Sequence, residues 1–218
     1  VDSALHGLMM LAFSKYKTVS LVAFMTYQAF YTLYNAYRFW IHDMPLQEFC
    51  DAVIAGDTAR VSQMLQGMDV SIDGYCLTGD TPLLNAIYYD HADIVNLLLK
   101  EGVDPNKSSD IDRNIYPVTQ VILGQDIFTE GVTAAQRGHK TNIEILANLL
   151  RAKVDLVTSS TNEYYGYHAL CLAISLQDKE AALLLIKEGS LINTIDSQGR
   201  SPLFHALARA MSDVVIAL

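Results

Sequence analysis

The chain has 218 residues, of which 51% are apolar and 18% are charged, a composition too apolar for a disordered protein. Its length allows one or two domains with a sizeable core. The formal net charge of −9 is unevenly distributed: residues 1–44 carry three basic and two acidic side chains, and residues 45–218 carry 12 basic and 22 acidic ones. Binding to nucleic acid requires a basic surface, so this charge argues against nucleic acid and permits a partner protein with a basic surface.

The first 44 residues differ in kind from the rest. Residues 18–37 contain no charge and are long enough to span a bilayer. A narrow polar stripe interrupts the apolar pattern, however, and side chains of this type are costly in lipid. The stripe consists of Gln28, Thr32, Asn35, Arg38 and His42. A membrane span and a surface anchor remain alternatives, but we predict that residues 1–44 form a helical extension that caps the apolar end of the following domain.

The stretch from Gly79 to Asn106 predicts a helical hairpin. Thr81 can cap a helix, and Pro82 suits the first helical position, where no N–H is needed. Two apolar stretches with helical spacing follow, and Gly102 can end the second helix in a left-handed conformation. Two short helices with one apolar face each cannot bury those faces alone, so the hairpin needs neighbours.

The same pattern recurs along the chain. Ser201-Pro202-Leu203 repeats Thr81-Pro82-Leu83 at a distance of 120 residues. Three further copies match at shifts of 87 residues, of 35 changing to 51 residues, and of 34 to 35 residues upstream. One copy contains a 16-residue insertion, QDIFTEGVTAAQRGHK, between its two helices; we interpret it either as a tolerated loop or as a second binding element. The predicted units cover residues 45–76, 77–110, 111–160 with the insertion at 125–140, 161–195 and 196–218, the last one truncated.

Together these copies resemble the ankyrin repeat, whose period is about 33 residues and whose signature is T-P-L-H-x-A. The resemblance implies an all-α solenoid of helix-turn-helix pairs with β-turn fingers over residues 45–218. The sequence departs from the signature in two ways. Its His is replaced by Leu84, Thr119, Cys171 and Phe204, and its capping Thr is replaced by Tyr116 and His168, which should weaken those two helix starts.

The resemblance also implies where a partner protein docks, because ankyrin arrays bind partners on the concave surface of their fingers and inner helices. Gly79, Asn114, Gly166 and Gly199 occupy the turn position of the fingers. Exposed Tyr and Arg often dominate binding. The predicted partner-contacting residues are Leu77, Thr78, Asp80, Tyr88, Tyr89, Asp112, Arg113, Ile115, Tyr164, Tyr165, Tyr167, Ser175, Leu176, Gln198, Arg200 and Arg209, with Leu123 also on the groove.

We find no catalytic motif and no metal-binding spacing, and we predict neither a catalytic site nor a cofactor. His168 and Cys171 would share a helix face, but both occupy structural positions of the repeat. Because Cys50, Cys76 and Cys171 are few and scattered, we expect buried, reduced thiols in a cytoplasmic protein.

The predicted function is therefore that of a non-enzymatic protein-interaction module. A bacterial effector in the host cytoplasm and a eukaryotic adaptor both fit the degenerate repeats. The chain begins at Val1 and stops inside a predicted helix, so we expect a fragment of a longer protein. The alternative is then the regulatory or targeting region of a larger enzyme or membrane protein. Partner identity and oligomeric state are left open by the sequence.

Overall fold

The computed structural model describes Leu33 and residues 44–67, 72–110, 115–124, 140–156, 168–196 and 198–218. The chain divides into two compact units, Val1–Pro45 and Leu46–Leu218. Within the described residues all regular structure is helical. The helices are α1 Met44–Ile54, α2 Thr58–Gly67, α3 Pro82–Tyr88, α4 Ala92–Lys100, α5 Pro117–Leu123, α6 Ile143–Arg151, α7 Ala169–Ser175, α8 Lys179–Lys187, α9 Pro202–Ala208 and α10 Ser212–Ala217.

The helices from α3 to α10 form antiparallel pairs stacked in chain order. The inner helices α3, α5, α7 and α9 contact one another in sequence, and the outer helices α2, α4, α6, α8 and α10 do the same. Each inner helix also packs against the outer helix that follows it. Their apolar faces form one continuous core that runs from Phe49 to Val214. The predicted all-α solenoid is confirmed.

The inner helices begin with the expected caps where the sequence supplies Thr or Ser. The Thr81 hydroxyl accepts from the N–H of Leu84 at 3.2 Å, and the Ser201 hydroxyl accepts from the N–H of Phe204 at 3.2 Å. His168 makes no capping hydrogen bond. At α5 the N–H of Tyr116 donates to the Thr119 hydroxyl at 3.1 Å, so a threonine inside the helix binds the backbone amide of Tyr116, the residue at the capping position.

A three-residue turn joins the helices of four pairs, and its middle residue has a positive φ each time. These residues are Gly56, Asp90, Gln177 and Ala210, with φ of 74°, 63°, 60° and 53°. A left-handed residue reverses the chain quickly enough for the outer helix to fold back on the inner one. At Gly56 the position is also crowded, because a Cβ there would lie 2.7 Å from Cε1 of His91.

The third pair is joined differently. Its connection runs from Gly124 to Asn142 and contains the insertion, of which residues 125–139 lie outside the described part of the chain. Asn142 starts α6 by accepting from the N–H groups of Glu144 and Ile145. Its side-chain amide also donates to Asp90 at 2.7 Å, so the end of the longer connection is bonded to the turn of the preceding pair.

Polar contacts also link consecutive units. His91 Nε2 lies 3.1 Å from the carbonyl oxygen of Ile54, which can only accept, so this nitrogen carries the hydrogen. The N–H of Asp104 donates to Asp73 at 3.0 Å, and the N–H of Asp155 donates to the Asn106 side chain at 2.6 Å. Such contacts satisfy loop amides that no helix would pair.

The predicted helical extension at residues 1–44 falls almost entirely outside the described residues, and its role as a cap stays a prediction. Among the helices that the structure describes, none is both long and apolar enough to cross a bilayer.

Candidate protein-docking surface

The finger of the second unit is a tight turn from Cys76 to Asp80. The N–H of Cys76 donates to the carbonyl of Asp80 at 2.9 Å, and the N–H of Gly79 donates to the carbonyl of Cys76 at 2.8 Å. Gly79 has φ 80°, as its position in the pattern predicts. The Thr78 hydroxyl accepts from the N–H of Asp80 and from the Asn85 amide, both at 3.3 Å. The turn is therefore held from within, and it displays Leu77, whose side chain is 74% exposed.

This finger is also fastened to helix α1. Cys76 forms a disulfide with Cys50 of α1, with the Cα atoms 6.0 Å apart. The side-chain oxygen of Gln47, one turn before Cys50, accepts from the N–H of Leu77 at 2.9 Å. Our prediction of reduced thiols at Cys50 and Cys76 was wrong, because folding brings together two residues that lie 26 positions apart in the sequence. Cys171 is free and buried, as predicted.

An aromatic cluster lies where α3 turns into α4. The rings of Tyr88 and Tyr89 meet edge to face at 5.0 Å, and the Tyr89 ring is nearly parallel to the His91 ring at 6.3 Å. Tyr89 is exposed, and Tyr88 is half-buried. The imidazole of His91 is held by the Ile54 carbonyl, so the exposed Tyr89 ring lies against a positioned neighbour and offers a rigid apolar surface.

The third finger corrects one predicted contact residue. Ile115 is only 6% exposed, so it is not a surface residue of the finger tip. Its N–H donates to the Ser109 hydroxyl and its carbonyl accepts from the N–H of Ser109, which places it at the base of the finger. Leu123 is buried as well and does not line the groove. Asp112 and Arg113, together with Tyr164, Tyr165 and Tyr167 of the fourth finger, lie outside the described residues.

The fifth finger turns around a buried carboxylate. Asp196 Oδ1 accepts from the backbone N–H groups of Gln198 and Arg200 at 2.8 Å, and Oδ2 accepts from Arg200 Nε at 2.8 Å and His205 Nε2 at 2.9 Å. Burial alone would raise the pKa of Asp196, but these hydrogen bonds outweigh it and hold the pKa below its ordinary range. Arg200 is thus committed to its own finger, while Gln198 remains exposed at the tip.

The network continues from His205 to the end of α7. The Ser175 hydroxyl lies 3.4 Å from His205 Nδ1, and Arg209 Nε donates to the Ser175 carbonyl at 2.7 Å. Serine, histidine and aspartate are also the members of a catalytic triad, but a triad must reach a substrate. His205 is 3% exposed, so the arrangement fastens the fifth unit to the fourth instead. The two predicted groove residues Ser175 and Arg209 take part in this contact between units.

The sequence analysis did not identify Asp196 and His205 as functional or structural residues. For Asp196, the sequence does contain a local signal. Asp196 precedes the turn glycine Gly199 by three residues, the spacing at which a short acidic side chain can accept from the amides of its own turn. His205 carried no such signal, because its partner depends on how α9 packs against the finger.

The remaining candidates for a reactive site are the Cys171 thiol and an open cavity. Burial, together with the nearby charge of Asp196, raises the pKa of the Cys171 thiol to about 11, so the thiol stays protonated at neutral pH and is a poor nucleophile. An open cavity of about 450 Å³ beside Leu176 has Lys140 and Lys179 on its rim. Both lysines are paired with acids, Glu180 and Asp213 respectively. The described residues contain no group of three His, Cys, Asp or Glu side chains placed to hold a metal ion.

Residues 78–110, which hold most of the second finger and the α3–α4 pair, match the family model of the ankyrin repeat. The matched segment contains the stretch Gly79–Asn106, whose pattern predicts a helical hairpin.

Proposed function

We propose that this chain, in which residues 78–110 match the ankyrin repeat, binds another protein through the concave surface formed by its fingers and inner helices. Ankyrin repeats are non-catalytic modules that bind other proteins. The observation that carries the choice of surface is the second finger, which displays an apolar residue, Leu77, from a turn held by the Cys50–Cys76 disulfide and by Gln47.

The physical reason is preorganisation. An exposed apolar side chain on a mobile loop loses conformational entropy when it binds, and a side chain on a fixed turn loses less. Leu77 and Tyr89 meet this condition. The backbone N–H of Leu77 is bonded to Gln47. The ring of Tyr89 lies beside the His91 ring, which is itself held by the Ile54 carbonyl. The binding surface then consists of Leu77, Thr78, Asp80, Tyr88, Tyr89, Leu176 and Gln198, with Asp112, Arg113, Tyr164, Tyr165 and Tyr167 as members that the sequence pattern adds.

The preferred partner surface is basic with an apolar centre. The repeats carry 22 acidic against 12 basic side chains. The same excess of acidic groups disfavours nucleic acid as a ligand. A bacterial effector that binds a host protein is one setting in which this module would act.

The Cys50–Cys76 disulfide is relevant to the cellular compartment in which the protein acts. The sequence pointed to the cytoplasm, or the host cytoplasm for an effector, but disulfides persist mainly in oxidising compartments. Denaturing the chain in the presence of a maleimide at the moment of lysis distinguishes the two, because buried thiols react only once the chain is unfolded. A single accessible thiol after denaturation supports an oxidising compartment, and three support the cytoplasm.

The test of the surface is affinity capture of the partner with the whole chain as bait. The Leu77→Ala, Tyr89→Ala double variant should recover at least tenfold less partner, since truncating a hot-spot residue at the centre of an interface costs about 2 kcal/mol or more. The control is Ile216→Ala, because Ile216 is apolar and more exposed than Leu77 or Tyr89 but lies on the outer helix α10. Equal recovery by a double variant that melts like the native chain would disprove this surface.

A further inference from the structure

One exposed tyrosine of this chain already holds a cation. Tyr75 lies just before the second finger and is 40% exposed. The Nζ atom of Lys107 lies 4.3 Å from the centre of its ring. The same ammonium group donates a hydrogen bond to the backbone carbonyl of Asp73. Because the face of an aromatic ring attracts cations, an exposed tyrosine together with an oxygen acceptor is enough to position an ammonium group on this surface.

Tyr89 presents a second aromatic surface with the same exposure, 39%. Its ring meets the Tyr88 ring at 80°, with the centroids 5.0 Å apart, and we call this pair the Tyr88–Tyr89 corner. The His91 ring lies nearly parallel to Tyr89 at 6.3 Å and supports it from one side. Among the described residues, no lysine or arginine lies over Tyr89 as Lys107 lies over Tyr75. The corner is therefore a fixed aromatic surface in contact with solvent.

Two carboxylates follow the corner in the chain. Asp90 comes directly after Tyr89, and Asp93 lies in the first turn of α4; both are exposed. The side-chain amide of Asn142 donates to the Asp90 carboxylate at 2.7 Å and holds it in place. A negative charge beside an aromatic ring adds a Coulomb attraction for a cation to the attraction of the ring itself.

The preceding unit brings a third carboxylate to this side of the stack. Gly56 lies against the His91 ring, since a Cβ there would be 2.7 Å from Cε1. The next residue, Asp57, is exposed and accepts from the N–H of Arg60 at the start of α2. Arg60 is the one basic residue in these two turns and the first turns of the helices that follow them, so the charge there remains negative. Such surroundings favour a cation over a neutral or an acidic group.

We propose that the Tyr88–Tyr89 corner is a binding site for a cationic side chain, a lysine or an arginine, of the partner protein. The cation lies against the exposed ring of Tyr89 and is attracted by the carboxylates of Asp90 and Asp93. This inference rests on the proposed function, in which Tyr89 belongs to the docking surface. The overall acidic charge attracts any basic protein, whereas the corner fixes where one of its cations binds.

The experiment follows the isotope-labelled tyrosine rings of the whole chain by NMR while a small probe is added. The probes are the blocked amino acids N-acetyl-lysine methylamide, N-acetyl-arginine methylamide and N-acetyl-norleucine methylamide, at constant ionic strength. Norleucine has the aliphatic chain of lysine without its charge. The Tyr89 signal is identified by its loss in Tyr89→Phe. We expect the lysine or the arginine probe to bind about two- to fivefold more tightly than norleucine, which is the range of cation–π attraction at exposed sites.

Two variants make this measurement specific. The Asp90→Asn, Asp93→Asn double variant removes two charges and keeps the shape, so it should weaken binding of the cationic probes about twofold and leave norleucine unchanged. Tyr75 is the internal control, because Lys107 covers its ring; its signal should respond only in Lys107→Ala. A Tyr89 signal that responds equally to all three probes, or to none of them, would overturn the proposal.

The capture experiment separates this proposal from the proposed function. If Tyr89 shows no preference for the cationic probes while Leu77→Ala, Tyr89→Ala still loses the partner, the cation site is disproved and the docking surface stands. If the cationic probes bind as expected while the same double variant captures the partner normally, the docking surface is disproved, and with it the assignment of the cation to the partner.

Discussion

The fingers of the second and the fifth unit make the same turn but are held in place by different chemistry. In both, the N–H of the first residue donates to the carbonyl four residues later, and a glycine with positive φ forms the bend. The second finger is joined to the preceding unit by a covalent bond from Cys76, whereas the fifth finger is held by the buried charge of Asp196. One repeat geometry thus tolerates either a covalent or an ionic anchor at the same site, and the two should respond to different conditions.

The largest expected effect is the loss of the covalent anchor. Opening a 26-residue loop should lower the free energy of unfolding by about 3.5 kcal/mol in the chain-entropy model. Chemical denaturation with and without a reductant measures this difference. The Cys50→Ala variant is the control, because it lacks the disulfide and should be insensitive to the reductant. If the native chain proves equally insensitive after unfolding and refolding in reductant, the covalent anchor contributes nothing.

Removing the charge of Asp196 should have the next largest effect on stability, and this effect should depend on pH. Asp196→Asn removes a charge that accepts four hydrogen bonds, and we expect a loss of about 2–3 kcal/mol at pH 7. Because the folded-state pKa of Asp196 is depressed, its contribution is complete above the unfolded pKa of about 3.9 and is lost as the pH falls below it.

The measurement for this variant is denaturation at several pH values. The difference in free energy of unfolding between the native chain and Asp196→Asn should be constant near neutrality and should become smaller below about pH 4. Glu101→Gln removes an equal charge from an exposed site and should change stability little at any pH. A gap that is the same at pH 3 and pH 7 would contradict an ionic anchor.

The smallest effects on the free energy of unfolding are expected at the turns of the first and the last described helix pair. Gly56→Ala should lower stability by about 1–2 kcal/mol, because an L-residue is strained at φ 74° and the added Cβ meets His91. Ala210→Gly should instead raise stability, by about 0.5 kcal/mol, since relief of strain at φ 53° exceeds the entropy that glycine adds to the unfolded chain. Thermal melting of both variants checks these opposite signs. A loss of stability in Ala210→Gly would show that the turn at Ala210 carries no strain.

The local features of the fold were predictable from the sequence because each depends on a few neighbouring residues. The cap at Thr81, the left-handed Gly79, Gly102 and Gly199, and the pairing of apolar helices follow from side-chain chemistry and from period alone. The exposed finger residues Leu77 and Thr78 were found in the same way, because a glycine turn defines its own tip.

Other features depended on contacts between units, which only the tertiary structure decides. The sequence shows three cysteines, but only the packing of α1 beside the second finger pairs Cys50 with Cys76. Ile115 occupies the same position in the repeat as Asp80 and Arg200, and its burial follows from its bonds to Ser109 at the base of a longer finger. Local sequence therefore determined which residues are apolar, which ones form turns and which ones cap helices. The neighbouring unit in the stack determined which of these residues remain in contact with solvent.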